Sequence, residues 1–75
     1  MSPKLPVVSG KQAAAALELI GFEAVSQRGS HLKLRHPSGK VAIVPMHDEL
    51  AIGTLKSILR QAGIDADDFH RLISR

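Results

Sequence analysis

Four histidines are the residues best suited to chemistry in this chain of 75 residues, which contains no cysteine. An imidazole has an unperturbed pKa of about 6.5, so it gives or takes a proton near neutral pH. The four stand in different sequence contexts and therefore carry different predictions. They are His31, His36, His47 and His70.

His31 has the most promising context, because it follows the turn-forming pair Gly29-Ser30 and opens an alternating segment, residues 31–36. A period of two places His31, Lys33 and Arg35 on one face of a strand and the intervening leucines on the other. A histidine beside two cations suits RNA cleavage through the 2′-OH, which needs a proton acceptor, a proton donor and positive charge at the phosphorus. The alternative is that His31 is only a polar residue on an exposed strand.

The other histidines have plainer predicted roles. His36 ends the same strand on the leucine face or in the following turn, where we expect its ring to pack at the edge of the core. His47 follows Pro45 by two residues; it is either a solvated loop residue or part of an anion site near the N-terminus of the next helix. We expect His70, in an acidic terminal helix, to be an ordinary surface residue.

Two common kinds of catalytic site are disfavoured by the sequence. The spacing of His31, His36 and His47 matches no compact metal-ligand motif, and no thiolate is present. Ser30 precedes His31 on a strand, so their side chains point to opposite faces, and there is no nucleophile elbow. We therefore predict chemistry without a metal or a cofactor.

The charge distribution favours an anionic partner. The net charge is +3, and residues 28–60 carry six Lys or Arg against two carboxylates, a local net charge of +4. Nucleic acid is the first candidate for such a surface. Because two Phe are the only aromatic residues, base stacking is not available and contacts must be made mainly with the backbone.

The pattern of apolar residues predicts three helices and three strands. Helix-like spacing runs over 10–20, where Ser9 and Gln12 form a capping box and Gly21 ends the helix. The predicted strands are 22–27, 31–36 and 41–44, and a loop covers 46–53.

The second helix is predicted to begin with Thr54 as its cap and to end at Gly63, and Asp65 caps a short third helix. Thr54, Lys56 and Arg60 at the start of the second helix either cap it and form a solvated face or hold RNA phosphates.

These elements predict a single α+β domain over residues 1–75. Tight turns between consecutive strands make the sheet antiparallel. Both long helices are expected to cover one of its faces, because their apolar stripes must be buried against another element. No signal-peptide pattern or membrane-spanning segment is present in the sequence, so we expect a cytoplasmic protein that does not engage a membrane.

The chain resembles the HicA mRNA interferase family over nearly its whole length. The ordered set of matching segments, rather than any one motif, carries the resemblance. It comprises Gly29-Ser30-His31, Arg35-His36-Pro37-Ser38-Gly39, Val44-Pro45 with His47, Gly53-Thr54-Leu55 and Ile58-Leu59-Arg60-Gln61-Ala62-Gly63. Many relatives carry basic residues just before the Gly-Thr-Leu step, where this chain has Ala51 and Ile52.

The resemblance implies a fold like that of a double-stranded-RNA-binding domain and a toxin that cleaves mRNA independently of translation. It also implies a HicB-like antitoxin, covering the active site, as the partner. The family's catalytic histidine matches His31. The sequence interpretation adds a set of RNA-binding candidates, namely Gly29, Ser30, Lys33, Arg35, His47, Thr54 and Lys56.

Two other functions remain open from the sequence. The same basic surface could belong to an RNA-binding module without catalysis, or the chain could be a protein-interaction domain only. His31 separates the first from a nuclease, and the salt dependence of RNA binding tests the second.

Overall fold

The computed structural model describes residues 4–74 and confirms the predicted α+β architecture. The elements, in chain order, are α1 (Gly10–Leu19), β1 (Glu23–Arg28), β2 (His31–Arg35), β3 (Val41–Pro45), α2 (Ile52–Ala62) and α3 (Ala66–Ile73). In the part of the chain so described, no helix has the length and apolar character needed to cross a bilayer.

The three strands form one antiparallel sheet in the order β1-β2-β3. A two-residue turn joins β1 to β2, and Gly29 in its first position has a φ of 59°, the left-handed value that a tight hairpin requires there. This turn makes Arg28 and His31 direct cross-strand partners. A bulge between Ala24 and Ser26 interrupts the pairing near the other end of β1.

The helices cover one face of the sheet, as predicted. The inward-facing side chains of β2 and β3 pack with the apolar stripes of the helices into one core. Its fully buried large side chains are Phe69, Leu17, Leu34, Leu55, Ile58 and Val44. No helix within residues 4–74 covers the opposite face of the sheet, and His31, Lys33 and Arg35 are all exposed on it.

The free edge of β3 is partly closed by a side chain from α2. The Ile43 backbone N–H donates to Gln61 Oε1 at 2.9 Å, and Gln61 Nε2 donates to Ser57 Oγ at 3.2 Å. Pro45, the last residue of β3, has no N–H to offer a further strand.

Helix α1 begins with the predicted capping box and docks closely on the end of β3. Gln12 N donates to Ser9 Oγ at 3.0 Å, and Ser9 N donates to Gln12 Oε1 at 2.9 Å. The N–H of Gly10 donates to the His47 carbonyl at 2.9 Å. A Cβ at Gly10 would lie 2.0 Å from the carbonyl oxygen of Pro45, so only glycine permits this approach.

Helix α2 begins earlier than the sequence predicted. Ala51 is its N-cap without any side-chain cap, and Thr54 lies inside the first turn, so the prediction that Thr54 caps this helix is wrong. The reason is tertiary: the buried Leu50 donates its N–H to the Val8 carbonyl at 2.8 Å, which fixes the chain just before the helix. The end of α2 at Gly63, with a φ of 75°, is as predicted.

Helix α3 has the predicted cap, since Asp68 N donates to Asp65 Oδ1 at 2.8 Å. Arg71 donates to Asp68 Oδ1 at 2.6 Å, and this hydrogen bond, followed by one from the Asp65 backbone, lowers the pKa of Asp68. The prediction for His70 is wrong. It is half-buried, and its Nε2 is hydrogen-bonded to the carbonyl of Lys4, tying α3 to the extended segment 4–9.

Gly10→Ala is expected to destabilise the fold by about 1–3 kcal/mol, because the new methyl group meets main-chain atoms that cannot move aside cheaply. Gly53→Ala is the matched control. A Cβ there meets nothing within 4 Å, and alanine is the better helix former by about 1 kcal/mol. Urea denaturation of both variants measures this, and a Gly10→Ala protein as stable as wild type would contradict the close contact.

Candidate active site

The open face of the sheet holds three cross-strand rows of side chains. The rows are Arg28–His31–Pro45, Ser26–Lys33–Ile43 and Glu23–Arg35–Val41. The sequence prediction that His31, Lys33 and Arg35 share an exposed face is therefore confirmed. Because Glu23 lies opposite Arg35, the unbalanced positive charge of this face is concentrated around His31.

His31 lines a shallow concavity of about 410 Å³ together with Ser26, Arg28, Lys33 and Ile43. The two cations in this set flank the imidazole, one across the hairpin and one two residues along its own strand. Within residues 4–74 the ion pair is Arg71–Asp68, so neither Arg28 nor Lys33 has a carboxylate partner there. Both cations are therefore available to an incoming anion.

Arg28 is a member of this site that the sequence interpretation missed. The first strand was predicted to end at residue 27, whereas β1 continues to Arg28. The signal was present in the sequence, because a two-residue turn at Gly29-Ser30 makes the residues on either side of it face each other. Extending the strand by one residue would have placed Arg28 beside His31.

His47 lies at the same end of the sheet as His31. Met46 N donates to the Ser30 carbonyl at 2.6 Å, which continues the β2–β3 ladder past Pro45. His47 Nε2 then approaches Ser30 Oγ to 3.4 Å. The backbone of His47 contacts the first residue of α1, as described above, and its side chain is exposed.

His36 is a structural residue, as predicted for a ring at the edge of the core. The Ser38 N–H donates to His36 Nδ1 at 3.0 Å. The other ring nitrogen, Nε2, therefore carries the proton and donates to the Ile20 carbonyl at 3.1 Å. The ring also packs on Phe22, with centroids 5.1 Å apart. His36 thus joins the end of α1 to the β2–β3 turn.

Two of the predicted RNA contacts lie away from this concavity. Thr54 and Lys56 are on α2, and Lys56 lines a separate groove in the helix layer; their part in RNA binding stays a prediction. In the described range 4–74, no three His, Asp or Glu side chains are arranged to hold a metal ion.

The arrangement around His31 suits proton transfer next to a bound phosphate. The imidazole of His31 is exposed, and the flanking guanidinium and ammonium groups would hold a phosphodiester and offset the charge that develops on it. An open sheet face, unlike a deep pocket, admits a long polymer.

His31 and His36 are expected to respond differently to truncation. His31→Ala should change the free energy of unfolding by less than about 0.5 kcal/mol, because the side chain is exposed. His36→Ala should cost about 1–3 kcal/mol, because it leaves the Ile20 carbonyl without its donor and removes the ring from Phe22. Thermal or urea denaturation distinguishes them, and equal losses would contradict these assignments.

Comparison with known proteins agrees with the resemblance seen in the sequence. A family model described as the HicA toxin of bacterial toxin-antitoxin systems matches residues 10–64. That range includes all three strands, α1, α2 and every residue of the concavity at His31. No curated protein matches the chain. Since the matched range spans well over half of its length, the chain belongs to the HicA toxin family.

Proposed function

We propose that this toxin is an endoribonuclease that cleaves mRNA without a metal, with His31 as its catalytic residue. The observation that carries the proposal is the position of His31, exposed on an open sheet face between Arg28 and Lys33, two cations without a carboxylate partner within residues 4–74. Membership in the HicA toxin family supports it, because the resemblance to that family implies a toxin that cleaves mRNA.

The reaction that fits this arrangement is attack by the RNA on its own backbone. His31 accepts the proton of a 2′-OH, the 2′-oxygen forms a bond to the adjacent phosphorus, and the bond from phosphorus to the 5′-oxygen breaks. The products are a 2′,3′-cyclic phosphate and a 5′-OH. The departing 5′-oxygen takes a proton from His47 or from water, because His47 stands at the same end of the sheet.

Substrate binding would rest on phosphate contacts. Arg28 and Lys33 flank the reacting phosphate, and Arg35 extends the basic row along β2. Gly29 and Ser30 form the turn beside His31, where the backbone can approach the RNA closely. The absence of aromatic side chains from the sheet face makes this binding weakly selective for sequence.

A slow enzyme is expected from this site. Each well-placed proton-transfer group contributes about 10²–10⁴-fold to a rate, and the contact that holds His47, at 3.4 Å, is long for a hydrogen bond. A toxin tolerates a low turnover number, since a single cut inactivates a messenger.

The family implies an antitoxin partner, and we propose a HicB-like protein that neutralises the toxin by covering the open sheet face. His31 is solvent-exposed on this face, so a partner that buries it also excludes RNA. Because its substrate is mRNA, the toxin would act in the cytoplasm.

The first test is cleavage of a long single-stranded RNA in excess EDTA by the wild-type toxin and by His31→Ala. The wild type should cut the RNA and leave a 5′-OH and a cyclic or 3′-phosphate, whereas the variant should lose at least about 10²-fold in rate while still binding RNA. Gel analysis measures the rate of cleavage and the binding of RNA, and end-labelling with polynucleotide kinase identifies the 5′ ends of the products.

Lys11→Ala, which removes an exposed cation from α1, serves as the matched control and should cleave like wild type. A 5′-phosphate product would overturn the proposed reaction. If both wild type and His31→Ala bind RNA equally and neither cuts it, the chain is an RNA-binding module.

The flanking cations should contribute to RNA affinity through phosphate contacts. Arg28→Ala and Lys33→Ala are each expected to weaken binding uniformly across RNA sequences. Each should also make the slope of log K against log salt less negative by about 0.7, the value for one phosphate contact in a single strand. Fluorescence anisotropy with the cleavage-deficient His31→Ala background measures this, and Lys11→Ala in the same background should leave the slope unchanged.

A further inference from the structure

A second concavity lies in the helix layer, away from the open sheet face. It is a groove of about 740 Å³ between the extended segment 4–9, α2 and the connection to α3. Its lining residues are Lys4, Leu5, Ile52, Lys56, Leu59, Arg60, Ile64 and Ala66. We refer to it below as the α2 groove.

The floor of the α2 groove is apolar, with Leu59 buried and Leu5 and Ile64 half-buried beneath it. Ile52, the first residue of α2, lines the groove and is 44% exposed. From Ile52 to Arg60 the α2 wall runs for about 12 Å at 1.5 Å per residue. That length matches two turns of a bound helix.

The rim of the α2 groove is positively charged on both sides. Lys56 and Arg60 lie one turn apart on α2, and Lys4 lies on the facing wall. No carboxylate lines the α2 groove. The ion pair within residues 4–74 joins Arg71 and Asp68 on α3, so it does not neutralise any of these three cations. Three cations around an apolar floor complement a segment that presents aliphatic side chains flanked by Asp or Glu.

The chemistry of the groove favours a protein segment over the other occupants. RNA would match the cations but has no use for an aliphatic floor, and no aromatic ring is present to stack on a base. A second copy of this chain would bring its own net positive charge of +3 to a groove that is itself basic.

We propose that the α2 groove binds an acidic, amphipathic helical segment of a protein partner, which in this family would be the antitoxin. The identity of the partner rests on the proposed function, whereas the chemistry of the segment does not. The groove lies on the layer opposite the open face, so this contact holds the partner without touching His31. It is an anchor distinct from the surface that must be covered to block cleavage.

The test uses the full chain, as wild type and as His31→Ala, with a synthetic helix-forming peptide of about 14 residues, or four turns. The peptide carries Leu at helical i, i+3, i+4 and i+7 spacing with Glu on both flanks. A second peptide replaces each Glu by Lys. Binding is followed by fluorescence anisotropy and by amide chemical shifts of the ¹⁵N-labelled protein.

The acidic peptide is expected to shift resonances of α2 and of residues 4–9, and to bind at least about tenfold more tightly than the basic peptide. Ile52→Glu and Lys4→Glu should each weaken it about tenfold, and Arg60→Glu should move the preference toward the basic peptide. Leu19→Glu and Lys11→Glu, exposed positions on α1, are the matched controls and should bind like wild type.

No binding of the acidic peptide up to about 1 mM would overturn the proposal, as would equal binding of both peptides. Shifts of the α2 groove on addition of RNA, or on concentrating the protein alone, would identify it instead as a nucleic-acid or self-association surface and would also overturn it. Because the result does not depend on His31, a failure here leaves the proposed nuclease intact, and a catalytic failure leaves this binding site intact.

Discussion

The structure depends first on the register between β1 and β2, which a turn of two residues fixes. Gly29 adopts a left-handed conformation that other residues adopt only at a cost in free energy. With this turn in place, β1 and β2 pair so that Arg28 lies opposite His31. A slip by one residue would exchange the two faces of β2, burying Lys33 and exposing Leu34. The buried leucine and the exposed charges therefore require the same register that assembles the candidate site.

A good part of this was predictable from the sequence, because the determinants are local. The alternation in residues 31–36 separates an exposed face from a buried one, and the capping boxes at Ser9 and Asp65 are set by side chains three residues apart. The packing of the His36 ring at the edge of the core was also predictable, because His36 directly follows Arg35, the last residue of β2.

The features that sequence reasoning missed are held by contacts between distant segments. Helix α2 begins at Ile52 because Leu50 is fixed to Val8, and no nearby side chain signals that start. His70 is tied to Lys4 at the far end of the chain. The α2 groove likewise needs α2 and the segment 4–9 to lie side by side. Arg28 is different, since a stricter use of the turn geometry would have found it.

The side chain of Gln61 at the free edge of β3 has a consequence for how this protein behaves at high concentration. An unpaired edge invites a neighbouring molecule to add a strand, yet here one N–H of β3 is taken by Gln61 and Pro45 offers none. On the opposite margin the bulge at residues 24–26 breaks the regular spacing of β1. Both margins of the three-stranded sheet are thus poor templates for a further strand, which disfavours growth into a continuous intermolecular sheet.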